Sequence, residues 1–138
     1  MLYSHKGNFP TALPERIRLS NGLTRTDSST FTNEEIADAG YIEVSDPPNY
    51  DYPDVLEWVG NAWVVRAPNN SDIANQWTAI QAEAVRLLYQ TDYKAIKAYE
   101  SGIPLSTPWI NYRQALRDIY NNVNNLDPFF IDWPEQPQ

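Results

Sequence analysis

His5 is the only histidine in the chain. An imidazole that shuttles protons or holds zinc needs a carboxylate or further ligands arranged around it. His5 stands beside Lys6 and Gly7 with no acidic neighbour, so it reads as a solvated histidine. Asp46, Asp51 and Asp54 cluster among prolines and Tyr50. A glycosidase pair needs two carboxylates held on opposite sides of a sugar, one with its pKa raised by burial. A calcium loop needs ligands alternating through a glycine-centred turn. The aspartate cluster has neither arrangement and reads as a solubilising turn. The five glycines form no phosphate-cradling loop, and no serine lies in a nucleophile elbow. There is no cysteine, hence no disulfide and no thiolate metal site. We therefore expect no catalytic residue, no metal ligand, no cofactor and no enzymatic activity.

Composition narrows the partners. Ten basic and eighteen acidic residues give a formal charge of −8. An acidic surface repels phosphate, so nucleic acid is not an expected partner. Arg16, Arg18 and Arg25 form the one basic cluster, which reads as a solvated hairpin face. No apolar run approaches the roughly 18–20 residues of a membrane helix, so no membrane insertion is expected. The first fourteen residues lack the apolar core of a signal peptide, and the chain is expected to stay where it is made. Nine tyrosines and five tryptophans are available. These side chains combine contact area with a polar tip and are enriched at protein interfaces, though they also fill cores.

The elements that must position these aromatics change character near Pro68. Residues 15–19 alternate polar and apolar, with Ile17 and Leu19 on one face, and Asn21-Gly22 predicts a two-residue hairpin turn to a return strand over 23–26. Thr32 and Glu35 have the spacing of a capping box, opening a short helix that Gly40 ends. A strand over 41–44, a proline-rich connector over 46–54 and a hairpin around Gly60-Asn61 complete a lobe of about four short strands. From Pro68 the pattern is helical. Asn70 or Ser71 caps a helix over about 72–90, whose apolar positions are Ile73, Trp77, Ile80, Ala84, Leu87 and Leu88. The steps of four, three, four and three define a narrow packed seam. Thr91-Asp92-Tyr93 predicts a break, followed by a shorter helix over 93–100 closed at Ser101-Gly102. Thr107-Pro108 opens a last helix with the seam Trp109, Tyr112, Leu116, Ile119 and Val123. The tail carries Phe129, Phe130 and Trp133.

The two seams can pack on each other, within one chain or between copies. Their aromatic residues, with those of the tail, can equally face a partner. At roughly 25 cal/mol per Å² of apolar surface covered, several exposed rings favour a partner by several kcal/mol in gross terms. The reading is α+β: a small antiparallel β lobe with one short helix over 1–67, then a C-terminal helical hairpin-like part with an aromatic tail over 68–138.

The helical half also resembles a family. It contains Ala84-Val85-Arg86-Leu87-Leu88, then Thr91-Asp92-Tyr93, then Trp109, the block Tyr112-Arg113-Gln114-Ala115-Leu116-Arg117-Asp118-Ile119, and finally Trp133-Pro134. That series is similar to the tail assembly chaperone proteins of tailed bacteriophages, with the Tyr112 block its most specific part. The sequence departs at Tyr93, where the family usually has tryptophan, and in the helix register just before Leu87. In the N-terminal half, Arg18-Leu19-Ser20-Asn21-Gly22 and its continuation through Asp27 resemble the small β module often found in front of this helical part, as does the segment from Thr32 to Tyr41.

The resemblance implies a helper that binds a newly made tail fibre protein near its C-terminal tip and aids folding or trimerisation. It would act in the host cytoplasm and, in some members, stay on the virion tail. The expected partner-binding residues are Trp77, Trp109, Tyr112, Arg113, Leu116, Arg117, Phe129, Phe130 and Trp133; self-association is a further use of the same faces. Two alternatives stand beside it. One is a permanent fibre or baseplate subunit. The other is a host-surface glycan binder in which Tyr50, Tyr52, Trp58 and Trp63 form a stacking platform.

Overall fold

The computed structural model describes residues 1–138, which form two compact units, Met1–Ala67 and Pro68–Gln138. The N-terminal unit contains β1 (Leu2–His5), β2 (Arg16–Arg18), β3 (Thr24–Thr26), a 3-10 turn (Ser28–Thr30), α1 (Asn33–Asp38), β4 (Tyr41–Val44), β5 (Val55–Val59) and β6 (Ala62–Arg66). The strands make three separate antiparallel pairs, β1–β4, β2–β3 and β5–β6, where the sequence suggested one small sheet. Strand β1 was not anticipated. Its partner lies about forty residues on, with Leu2 opposite Val44 and His5 opposite Tyr41, and no local turn signals such a pairing.

The turns follow their residues. Gly60 and Asn61 both take positive φ, so β5 and β6 are joined by a two-residue loop with Val59 opposite Ala62. At Asn21-Gly22 only Gly22 does so. The amide of Leu19 donates to Leu23 O and that of Gly22 to Leu19 O, which makes a three-residue loop. Few side chains are fully covered in this unit; Ile17 and Ile36 are its buried aliphatic residues. Polar ties supplement that thin core. Thr32 and Glu35 complete the capping box of α1. Arg25 pairs with Glu35. Ser20 donates to Asp38 through its amide at 2.8 Å and its hydroxyl at 2.6 Å. The hydroxyl bond, then the amide bond, hold the Asp38 carboxyl below its ordinary pKa.

The helical unit is α2 (Asn70–Ser101) and α3 (Thr107–Tyr120), followed by an irregular tail. Helix α2 has 32 residues, or about 48 Å at 1.5 Å per residue. Its cap is Asn69, one residue before the two candidates in the sequence: Asn69 Oδ1 accepts from the Asp72 amide while Asp72 Oδ2 accepts from the Asn69 amide. Replacing Asn69 with alanine is expected to lower stability by about 1 kcal/mol in a urea melt, and with glycine by a few tenths. Gly102, at φ +70°, ends the helix in the left-handed conformation.

The break anticipated at 91–93 is absent; α2 runs straight through it. Thr91 does not cap a new helix. It is 2% exposed, and its hydroxyl bonds back to Leu87 O at 3.1 Å and Leu88 O at 3.2 Å. That back-bonding keeps a threonine inside a helix without an orphan hydroxyl.

Helices α2 and α3 run antiparallel, as the cross-helix contacts show in order. Lys94 lies over the Trp109 ring, Arg113 bonds to Leu88 O and Thr91, and Gln81 Nε2 reaches Tyr120 O at 3.1 Å. The core between them is Trp109, Tyr112 and Leu116, with Leu87, Leu88, Leu105 and Trp133 packed against it. Trp109 and Tyr112 meet edge to face at 5.8 Å. The two seams therefore pack within one chain. Val123, expected to extend the second seam, lies beyond the end of α3 and is exposed.

Candidate protein-docking surface

Arg113 is the polar centre of the helical unit. Its side chain is 8% exposed. Nη1 donates to Leu88 O at 2.9 Å and to Thr91 Oγ1 at 2.6 Å, and Nη2 donates to Asp92 Oδ1 at 2.7 Å. The planar fork suits this geometry: one nitrogen ties down the middle of α2 while the other neutralises Asp92. Thr91-Asp92 and Arg113, read as separate parts of the family pattern, thus form one joint.

The nine residues expected to meet a partner are divided by the structure. Trp109, Tyr112, Arg113 and Leu116 are buried inside the unit's own core, because the two seams cover each other. As folded, they have no face to offer. Trp77, Phe129 and Trp133 are half-buried. Phe130 and Arg117 are exposed, Phe130 at 61%. The tail is pinned by Gln76 Nε2 donating to Pro128 O at 3.2 Å, and by a turn in which Asp127 accepts from the amides of Phe129 and Phe130. Asp118 accepts from Gln114 rather than from the arginines on its helix.

A further set was missed. Tyr89, Tyr93, Ile96 and Tyr99 are all exposed on α2. Reading a break at 91–93 divided this face between two helices, so its continuous spacing went unseen. At its start, Arg86 makes a two-pronged pair with Glu83 at 2.7 and 2.6 Å, which holds the Glu83 carboxyl below its ordinary value.

In the N-terminal unit, Trp58 and Trp63 pack edge to face at 4.9 Å, and Phe9 meets Trp63 likewise at 5.2 Å. Trp63 Nε1 donates to Ser45 O, while the indole N–H of Trp58 is buried without an acceptor. These rings are turned on one another rather than laid out as a flat platform; Tyr50 and Tyr52 are exposed on the connector. His5 stacks on Tyr41 at 4.4 Å. No cluster of three or more His, Asp or Glu residues is placed to hold a metal, and no helix is long and apolar enough to cross a membrane.

What this defines is a two-unit α+β protein whose helical unit is closed on its inner face and carries exposed Tyr89, Tyr93, Ile96 and Tyr99 among charged residues on α2. Residues 77–138 match the family model described as phage tail assembly chaperone protein. The resemblance carried by the Tyr112 to Ile119 block is thus a family match over most of the helical unit, with 1–76 outside it. No curated protein and no solved structure matches the chain.

Proposed function

We propose that this chain is a tail assembly chaperone that binds the phage tail fibre protein near its C-terminal tip and promotes folding or trimerisation. The observation that carries the reading is the family match over 77–138. The surface supports it: a chain of charge −8 carries aromatic and aliphatic side chains outside a core that is already closed. Exposed Phe130 and Arg117 and the half-buried Trp77, Phe129 and Trp133 make the contact. Trp109, Tyr112, Arg113 and Leu116 act from beneath, by holding the two helices and the tail in place. Aromatic and arginine side chains are the kinds of residue that most often anchor interfaces.

The test is capture of this chain by a tagged, co-expressed tail fibre protein. Phe130→Ala is expected to weaken capture by about 1–2 kcal/mol, the usual cost of losing an aromatic anchor. Its thermal melt, recorded on the same preparation, separates a lost contact from a loss of folding. Undiminished capture by Phe130→Ala, Trp77→Ala and Arg117→Ala would remove this face from the proposal. The same preparation discriminates the roles: a chaperone accompanies unassembled fibre in the host cytoplasm, and a permanent subunit remains on purified particles at fixed copy number.

A further inference from the structure

The outer face of α2 carries a second seam. Arg86, Tyr89, Tyr93, Ile96 and Glu100 step by three, four, three and four residues, the spacing of a single narrow stripe. At 100° per residue it lies opposite Ala84, Leu87, Leu88 and Thr91, which face α3, so it points away from the unit's own core. Tyr89 is 73% exposed, Tyr93 59% and Ile96 57%. The stripe is about 21 Å long. Its two ends bear opposite charges, each seven residues from Tyr93. Arg86 uses Nε and Nη2 on Glu83 and keeps Nη1. Glu100 is exposed and makes no ion pair in the chain.

We propose that two copies of this chain pair antiparallel through this stripe, with Tyr93 on the two-fold axis and each Arg86 facing Glu100 of the other copy. The charge pattern selects the partner and the direction. An antiparallel pair brings both ends into opposite-charge contact at once, whereas a parallel pair sets arginine on arginine and glutamate on glutamate. Tyr89, four residues before the axis, interlocks with Ile96 of the other copy, three residues after it. Asp92 lies about 100° round the helix from Tyr93 and is engaged by Arg113. Exposed Lys97, at about 40° on the edge of the stripe, faces the level of Tyr89 in the other copy. Arg86 reaches Glu100 of the other copy as the bridge of a network that also holds Glu83. The surface covered is on the order of 1,000 Å² in total, at the low end for a specific interface.

Sedimentation of the full-length chain without fibre, from about 1 μM to about 1 mM protein at physiological salt, reads the equilibrium directly and independently of the fibre-binding reading. A reversible monomer–dimer equilibrium is expected, lost in Tyr93→Lys. Arg86→Glu and Glu100→Arg should each weaken it about tenfold or more, since each sets like charges face to face. The double reversal should recover dimer to within about threefold of wild type, because both opposite-charge contacts return. All these positions are exposed, so unchanged circular dichroism should accompany every variant. A chain that stays monomeric to the highest concentration overturns the proposal. So does a dimer indifferent to these substitutions, or single reversals that the double reversal fails to rescue.

Discussion

Replacing Leu116 with alanine is expected to lower the unfolding free energy of the helical unit by about 3 kcal/mol. Leu116 is fully buried, in the cluster with Trp109 and Tyr112. Truncation removes its transfer energy and leaves a cavity bounded by aromatic rings and helix backbone, which cannot easily collapse into it. The loss should appear as a lower midpoint with an unchanged slope in urea, followed by the fluorescence of the unit's tryptophans. Leu116→Met keeps the volume and should cost under about 1.5 kcal/mol. Equal costs for the two substitutions would show that the site is not close-packed. A binding defect in Leu116→Ala or Trp109→Ala would therefore report unfolding rather than a lost contact.

The second large effect is at Arg113, where lysine is expected to cost about 2 kcal/mol despite retaining the charge. An ammonium cannot reproduce a fork that reaches Leu88 O, Thr91 Oγ1 and Asp92 Oδ1 at once. Asp92→Asn should cost less, about 1 kcal/mol, because the Asp92 side chain is 42% exposed and water can take over part of its role. Arg113→Met separates the terms, since an apolar replacement fills the space without leaving a buried charge. The order Lys worse than Asn at the respective sites is what matters. Asp92→Asn proving the more damaging would mean that charge neutralisation, not the shape of the fork, holds the joint.

The sequence carried the helical unit further than the β unit. The steps of the two seams and proline near the start of α3 describe periodic, local choices, and the structure follows them. Thr91 misled because a threonine before an aspartate has the chemistry of a cap; only the presence of Arg113 on a second helix makes its mid-helix placement favourable. The same error hid the outer stripe, whose spacing is visible only if α2 is one helix. The pairing of β1 with β4 depends on contacts about forty residues apart that no turn announces. The site residues divided for a related reason. Spacing identifies an apolar face but not what covers it, so Trp109 and Phe130 look alike in the sequence, yet one lies in the core and the other in solvent.

Fibre assembly is read out by the yield of soluble trimeric tail fibre protein, sized after expression with and without this chain. If the proposed role holds, trimer accumulates when the chain is present, the chain co-purifies with fibre before assembly is complete, and Phe130→Ala reduces both while remaining folded. Fibre that reaches the same trimer yield alone, and never retains this chain, would contradict it.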